Sequence, residues 1–106
     1  MKVTLTLVPP GGGEADGYYD VDLPEIPRIG DYLIVFLEGV DGQSDFLVRR
    51  VKWYVKSTEK GGNATWDGVT VECEFALSER SSELHKKRVH ANPGDEPPKD
   101  LEVSGF

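Results

Sequence analysis

The sequence predicts a mainly β domain: a five-stranded antiparallel small barrel or curled sheet, with a short C-terminal helix. Three observations carry this expectation. Runs such as Val69–Leu77 alternate apolar and polar residues, which puts one face of a strand on a core and the other in water. Breaks rich in glycine and proline separate the runs at short intervals, as in small all-β folds. After Ser78 the two-residue period is lost, and residues 81–90 suit a helix instead.

The first strand is Lys2–Val8, with Val3, Leu5 and Leu7 on one face and Lys2, Thr4 and Thr6 on the other. Pro9–Gly13 ends it, because proline cannot donate to a ladder. The second strand, Tyr18–Leu23, turns Tyr19, Val21 and Leu23 inward and Tyr18, Asp20 and Asp22 outward. Pro24 and Pro27 stiffen the next connection, and Gly30-Asp31 turns the chain into a third strand, Tyr32–Glu38. Both faces of this strand are apolar, so it is expected to be covered on both sides or to lie in the middle of the sheet.

Gly39–Ser44, with Asp41-Gly42 as its turn signal, reads as a hairpin loop. The fourth strand runs from about Asp45 to Ser57. Leu47, Val51, Trp53 and Val55 read as inward, and Phe46, Val48, Arg50, Lys52, Tyr54 and Lys56 as the other face. Strict counting puts Arg49 inward, so Arg49-Arg50 reads as a bulge or bend.

A polar loop, Thr58–Gly68, contains Trp66. This side chain either folds back as a barrel plug, the preferred reading, or stands exposed as an interface anchor. The fifth strand, Val69–Leu77, is expected to pair antiparallel with the fourth. Ser81 or Ser82 then caps a helix through about His90, with Leu84 and Val89 as its apolar anchors. One domain, 1–90, is followed by a flexible acidic tail, 91–106, rich in proline and glycine.

The motif Pro27-Arg28-Ile29-Gly30-Asp31 and the hairpin after it resemble the first-turn signature of small SH3-like barrels, over roughly residues 24–77. Such barrels bind peptides, RNA, DNA or other subunits, so the resemblance implies a fold and no particular function.

No apolar run approaches the ~18 residues of a membrane-spanning helix. The first residues alternate with threonine, unlike an export leader, so a cytoplasmic location is expected. Cys73 is the lone cysteine and falls on an apolar strand face, where an inert buried thiol is expected. His85 and His90 lie five apart and do not share a helical face, so both read as surface residues. No catalytic motif or metal cluster is recognisable. The expectation is a non-enzymatic domain with no cofactor.

Charge narrows the partners. The chain carries a formal −7, unevenly spread. Residues 1–48 hold two basic and nine acidic side chains; residues 49–60 hold five basic and one acidic. The preferred reading is a protein-interaction domain whose acidic face, Asp20, Asp22, Asp41 and Asp45, meets a basic partner protein. The alternative is a nucleic-acid-binding barrel using Arg49, Arg50, Lys52, Tyr54 and Lys56, cations interleaved with an aromatic ring. Against it, Glu72 and Glu74 on the neighbouring strand are placed to neutralise those cations in a cross-strand ladder. A third reading is a small ligand-binding homo-oligomer, with Tyr32–Leu37 as its interface.

Overall fold

A computed structural model of the chain describes residues 1–58 and 60–101. Its elements are β1 (Lys2–Val8), β2 (Gly17–Asp22), β3 (Tyr32–Val35), β4 (Ser44–Ser57), β5 (Ala64–Leu77), α1 (Glu83–Ala91) and β6 (Lys99–Asp100). The strands form one curled, half-barrel sheet in the order β2-β1-β5-β4-β3, with β6 also on β5. The mainly β class, the curled sheet and, among the described residues, the single short helix are as the sequence implies.

Strand direction differs from the all-antiparallel expectation. β1 runs parallel to β5, with Thr4 opposite Thr70 and Leu7 opposite Cys73. Alternation fixes which face is buried and carries no information on direction. The two central strands are also far apart in sequence, so no hairpin turn dictates how they pair. β6 pairs parallel with Ala76 and Leu77 on the β5 edge left free where β1 ends. Residues 93–100 therefore return to the body instead of forming a free tail; residues 102–106 lie outside the described part of the chain.

The core fills the concave face. Val3, Leu5 and Leu7 meet Val69, Val71, Cys73 and Phe75 there, flanked by Tyr19, Val21 and Leu33. Burying a side chain the size of Phe46 or Phe75 contributes about 1.5–3 kcal/mol. The rings of Phe46, Phe75 and His85 form a triangle with centroids 5.3–5.8 Å apart. This contact reverses the surface placement of His85, whose side chain is fully buried and docks α1 on the sheet together with Val89. Leu84, expected as an anchor, is exposed.

The register of β4 shifts between Val48 and Arg50, so the bulge expected at Arg49-Arg50 is present. Its consequence runs upstream. Val48 pairs with Cys73 and Phe46 with Phe75, so Phe46 and Val48 are the buried pair, and Leu47, read as inward, stands opposite Glu74. Downstream, Val51 pairs with Val71 and Trp53 with Val69, as alternation implies.

β3 lies at the end of the strand order, not in its middle. It stops at Val35, and Phe36 is exposed. Its apolar character is met on one side by the core through Leu33 and Val35. The turn before β3 is hooked onto β4: Gly30 N–H donates to the Val48 carbonyl and Val48 N–H to that of Asp31. Gly30 has φ +97°, a conformation that glycine adopts without strain.

Candidate functional site

β4 and β5 outlast the rest of the sheet. β1 covers the β5 edge only from Thr70 to Glu74, and β3 with the turn before it covers the β4 edge only from Ser44 to Val48. Beyond those limits the two strands continue as a ribbon through Ser57 and Ala64, with both edges open among the described residues. From Arg50 to Ser57 the ribbon extends about 23 Å, at ~3.3 Å per residue. The molecule's extents of 51 × 29 × 28 Å reflect this projection.

Sequence pattern implies only part of the ribbon. The polar composition of Thr58–Gly68 implies a loop, yet Ala64–Gly68 is strand. A second register shift explains how. Tyr54 pairs with Gly68 and Val55 with Trp66, leaving Asp67 as the extra residue. Gly68, at φ +121°, permits this bulge. The bulge turns Trp66 onto the same face as Val55 and Trp53. Trp66 is thus no plug: it is 53% exposed, beside Trp53 at 55% and Val55 at 63%. The stripe that fills the core through Val71 and Val69 continues onto the ribbon, where among the described residues it stays more than half exposed at Trp53, Val55 and Trp66.

The opposite face of the ribbon is basic. Arg50, Lys52, Tyr54 and Lys56 share it, each exposed. The ladder expected to neutralise them is absent among the described residues. Arg50 stands opposite Glu72 in register, but Glu72 pairs with the bulged Arg49, Nε to Oε2 at 3.0 Å. Glu74 is almost fully buried and serves Lys99 at 3.2 Å, Arg49 at 3.5 Å and the Gly11 N–H. The bulge therefore spends one arginine on both glutamates, and Arg49 leaves the predicted basic set. Arg50, Lys52 and Lys56 make no ion pair among the described residues.

The predicted acidic face divides. Asp20 and Asp22 lie exposed on the outer side of β2; Asp20 accepts from Thr4 Oγ1 at 2.8 Å. The Met1 amino group donates to Asp22 at 2.9 Å and holds its carboxyl below the usual range. Asp41 is exposed in the β3–β4 connection at the far end of the sheet. Thr4, the partner of Asp20, pairs with Thr70, whereas Asp45 pairs with Ala76. Six residues of β5, about 20 Å, separate the two ends.

Asp45 is not a surface residue at all: it is fully buried. Its carboxylate accepts from Gln43 Nε2, Ser78 Oγ and Ser81 Oγ. Ser82 caps α1 by accepting from His85 N–H at 3.0 Å, and His85 Nε2 lies 2.7 Å from the Ala76 carbonyl, to which it donates. The cluster joins β4, the 78–82 turn and α1. Among the described residues no hydroxyl is placed on a ring nitrogen of His85, so the arrangement is a structural hub and not a nucleophilic triad.

Cys73 is fully buried, and burial pushes its thiol up to about 12, which removes it as a nucleophile near neutral pH. Among the described residues no cluster of His, Cys, Asp and Glu has the geometry to hold a metal ion, and no helix is long and apolar enough to cross a membrane. Comparison with family models, curated proteins and solved structures found no match.

Proposed function

We propose that this chain is a non-enzymatic interaction domain whose recognition element is the β4–β5 ribbon, and that the ribbon takes a protein partner. The observation that carries this reading is the uncovered apolar face of Trp53, Val55 and Trp66 on a ribbon with open edges. Tryptophan offers a large rigid contact area and is enriched where binding energy concentrates. Open edges offer main-chain donors and acceptors to an added strand. The basic opposite face selects against basic partners and favours an acidic one, the reverse of the sign read from Asp20, Asp22, Asp41 and Asp45 as a single surface.

The test compares partner capture by the wild-type chain and by a Trp53→Ser, Trp66→Ser variant. Both side chains are more than half exposed, so the variant keeps its fold and loses the ribbon's partners. Equal capture by a folded variant refutes the reading.

The exposed row Arg50, Lys52, Tyr54 and Lys56, free of ion pairs among the described residues, favours a second reading: a single-stranded nucleic acid laid along the basic face. Anisotropy titration of an oligonucleotide answers it. Binding must weaken steeply with salt and fall with Lys52→Glu, Lys56→Glu. No signal at low salt ends this alternative.

A further inference from the structure

Two strand edges on this molecule match each other better than either matches itself. The first is the β4 side of the ribbon, residues 50–57. The second is β2, which pairs with β1 on one side and, among the described residues, with no strand on the other. Leu23 N–H donates to the Met1 carbonyl, and this sets the phase of β2: Tyr19, Val21 and Leu23 turn their main chain toward β1. Tyr18, Asp20 and Asp22 therefore aim their N–H and C=O groups at the open edge.

The side chains of the two edges alternate in a complementary way. β2 carries Tyr18, Asp20 and Asp22 on the outer face and Tyr19 and Val21 on the inner. The ribbon carries Arg50, Lys52, Tyr54 and Lys56 outside, and Val51, Trp53 and Val55 inside. Laid side by side with the same faces up, an acidic row borders a basic one, and an apolar row borders the exposed Trp53 and Val55. Pairing ribbon with ribbon would set lysines and arginines against one another; pairing β2 with β2 would set aspartates together. Like charges on adjacent strands are destabilising. Residues 50–68 carry a net +2 and the rest of the chain −9, so the same preference holds for the whole body.

From this complementarity we infer that the ribbon's partner is a second copy of this chain, whose β2 edge receives the β4 edge of the ribbon as an added strand. The inference rests on the ribbon being a recognition element and names its occupant. β2 is antiparallel to β1, β1 parallel to β5, and β5 antiparallel to β4, so β2 and β4 run the same way. A two-fold axis along the strands then lets each copy's ribbon reach the other's β2, and both contacts form in one closed dimer. Each contact makes the apolar ribbon face continuous with the partner's inner face.

The test is a charge swap read by light scattering and sedimentation up to about 100 μM protein. The wild type is expected to be a dimer. Lys52→Glu, Lys56→Glu and, separately, Asp20→Lys, Asp22→Lys each leave like charges in both contacts and weaken self-association at least about tenfold. Mixed one to one, the two variants restore complementary charges in both contacts, and the dimer returns as a heterodimer. Circular dichroism on each variant verifies that it is folded. A monomeric wild type, a dimer that ignores both reversals, or a mixture of folded variants that stays monomeric overturns the inference. Those results leave the ribbon's role to the Trp53, Trp66 capture experiment, which fails or succeeds on its own.

Discussion

Replacing Asp45 separates a structural acid from a surface acid. In the folded chain its carboxylate accepts from Gln43, Ser78 and Ser81 with no exposure to water. Asp45→Ala strips the acceptor from three donors at once. A hydrogen bond to a carboxylate contributes about 1.5–3 kcal/mol, but serine hydroxyls can rotate to other acceptors and recover part of it. The net loss is about 3–5 kcal/mol, a large share of the roughly 5–15 kcal/mol that a domain of this size holds. Gln43 and Ser81 also form a bridge between the β3–β4 connection and the turn before α1, so the loss loosens the helix as well. Asp41→Ala, two residues before Gln43 and exposed, is the control and should stay within about 0.5 kcal/mol of wild type. Urea unfolding followed by tryptophan fluorescence measures both. An Asp45→Ala variant within about 1 kcal/mol of the Asp41→Ala control would refute the hub.

Other groups give tests of the same fold. Burial holds the His85 imidazole below its ordinary 6.5, against the opposing pull of the Ala76 carbonyl and Asp45, with Arg88 adding to the depression. The unfolded chain binds this proton as pH falls through 6.5 while the folded chain resists. Stability should therefore be full above about pH 7 and fall below 6.5 by up to about 1.4 kcal/mol per pH unit; urea midpoints at several pH values show it, and His85→Gln should flatten the slope. Gly42 has φ +93°, and a Cβ there would sit 2.8 Å from the Ser82 Cα, so Gly42→Ala should cost about 2–4 kcal/mol in the same assay. Cys73, with its thiol pushed up to about 12, should resist thiol reagents at pH 8 in the native chain and react only on unfolding, at a rate that tracks denaturant.

Much of the sheet was legible because alternation reports burial directly. β1, β2 and the inner half of β5 came out with the right faces. The misreadings share one physical origin, which is that a bulge changes phase without changing composition. Arg49-Arg50 was visible as a break because two arginines interrupt an apolar rhythm, but carrying the shift upstream would also have moved Leu47 outward and Phe46 and Val48 inward. The shift at Asp67 has no such signal, since Asp67-Gly68 resembles an ordinary turn, and so sequence pattern alone puts Trp66 in a loop. Asp45 and His85 were misplaced for another reason. Polar side chains are assumed to face water until their partners are known, and Gln43, Ser78 and Ser81 are far from obvious as a set. The basic strand was legible, but whether Glu72 and Glu74 neutralised it depended on Arg49, and so again on the bulge.

The ribbon's charges admit a defensive explanation that its tryptophans do not. A two-stranded ribbon with open edges is marginal alone and invites uncontrolled pairing; lysines and bulges along such an edge are a recognised guard against it. Arg50, Lys52, Lys56 and the Asp67 bulge would meet that need by themselves. A guarded edge gains nothing from Trp53, Val55 and Trp66 left in water on one face. Serine or threonine there would keep strand propensity or solubility without the exposed apolar area. Guarding charges on one face and unburied tryptophan on the other are consistent only if the ribbon pairs selectively. The charges then reject wrong edges, and the apolar face is covered once the right one arrives.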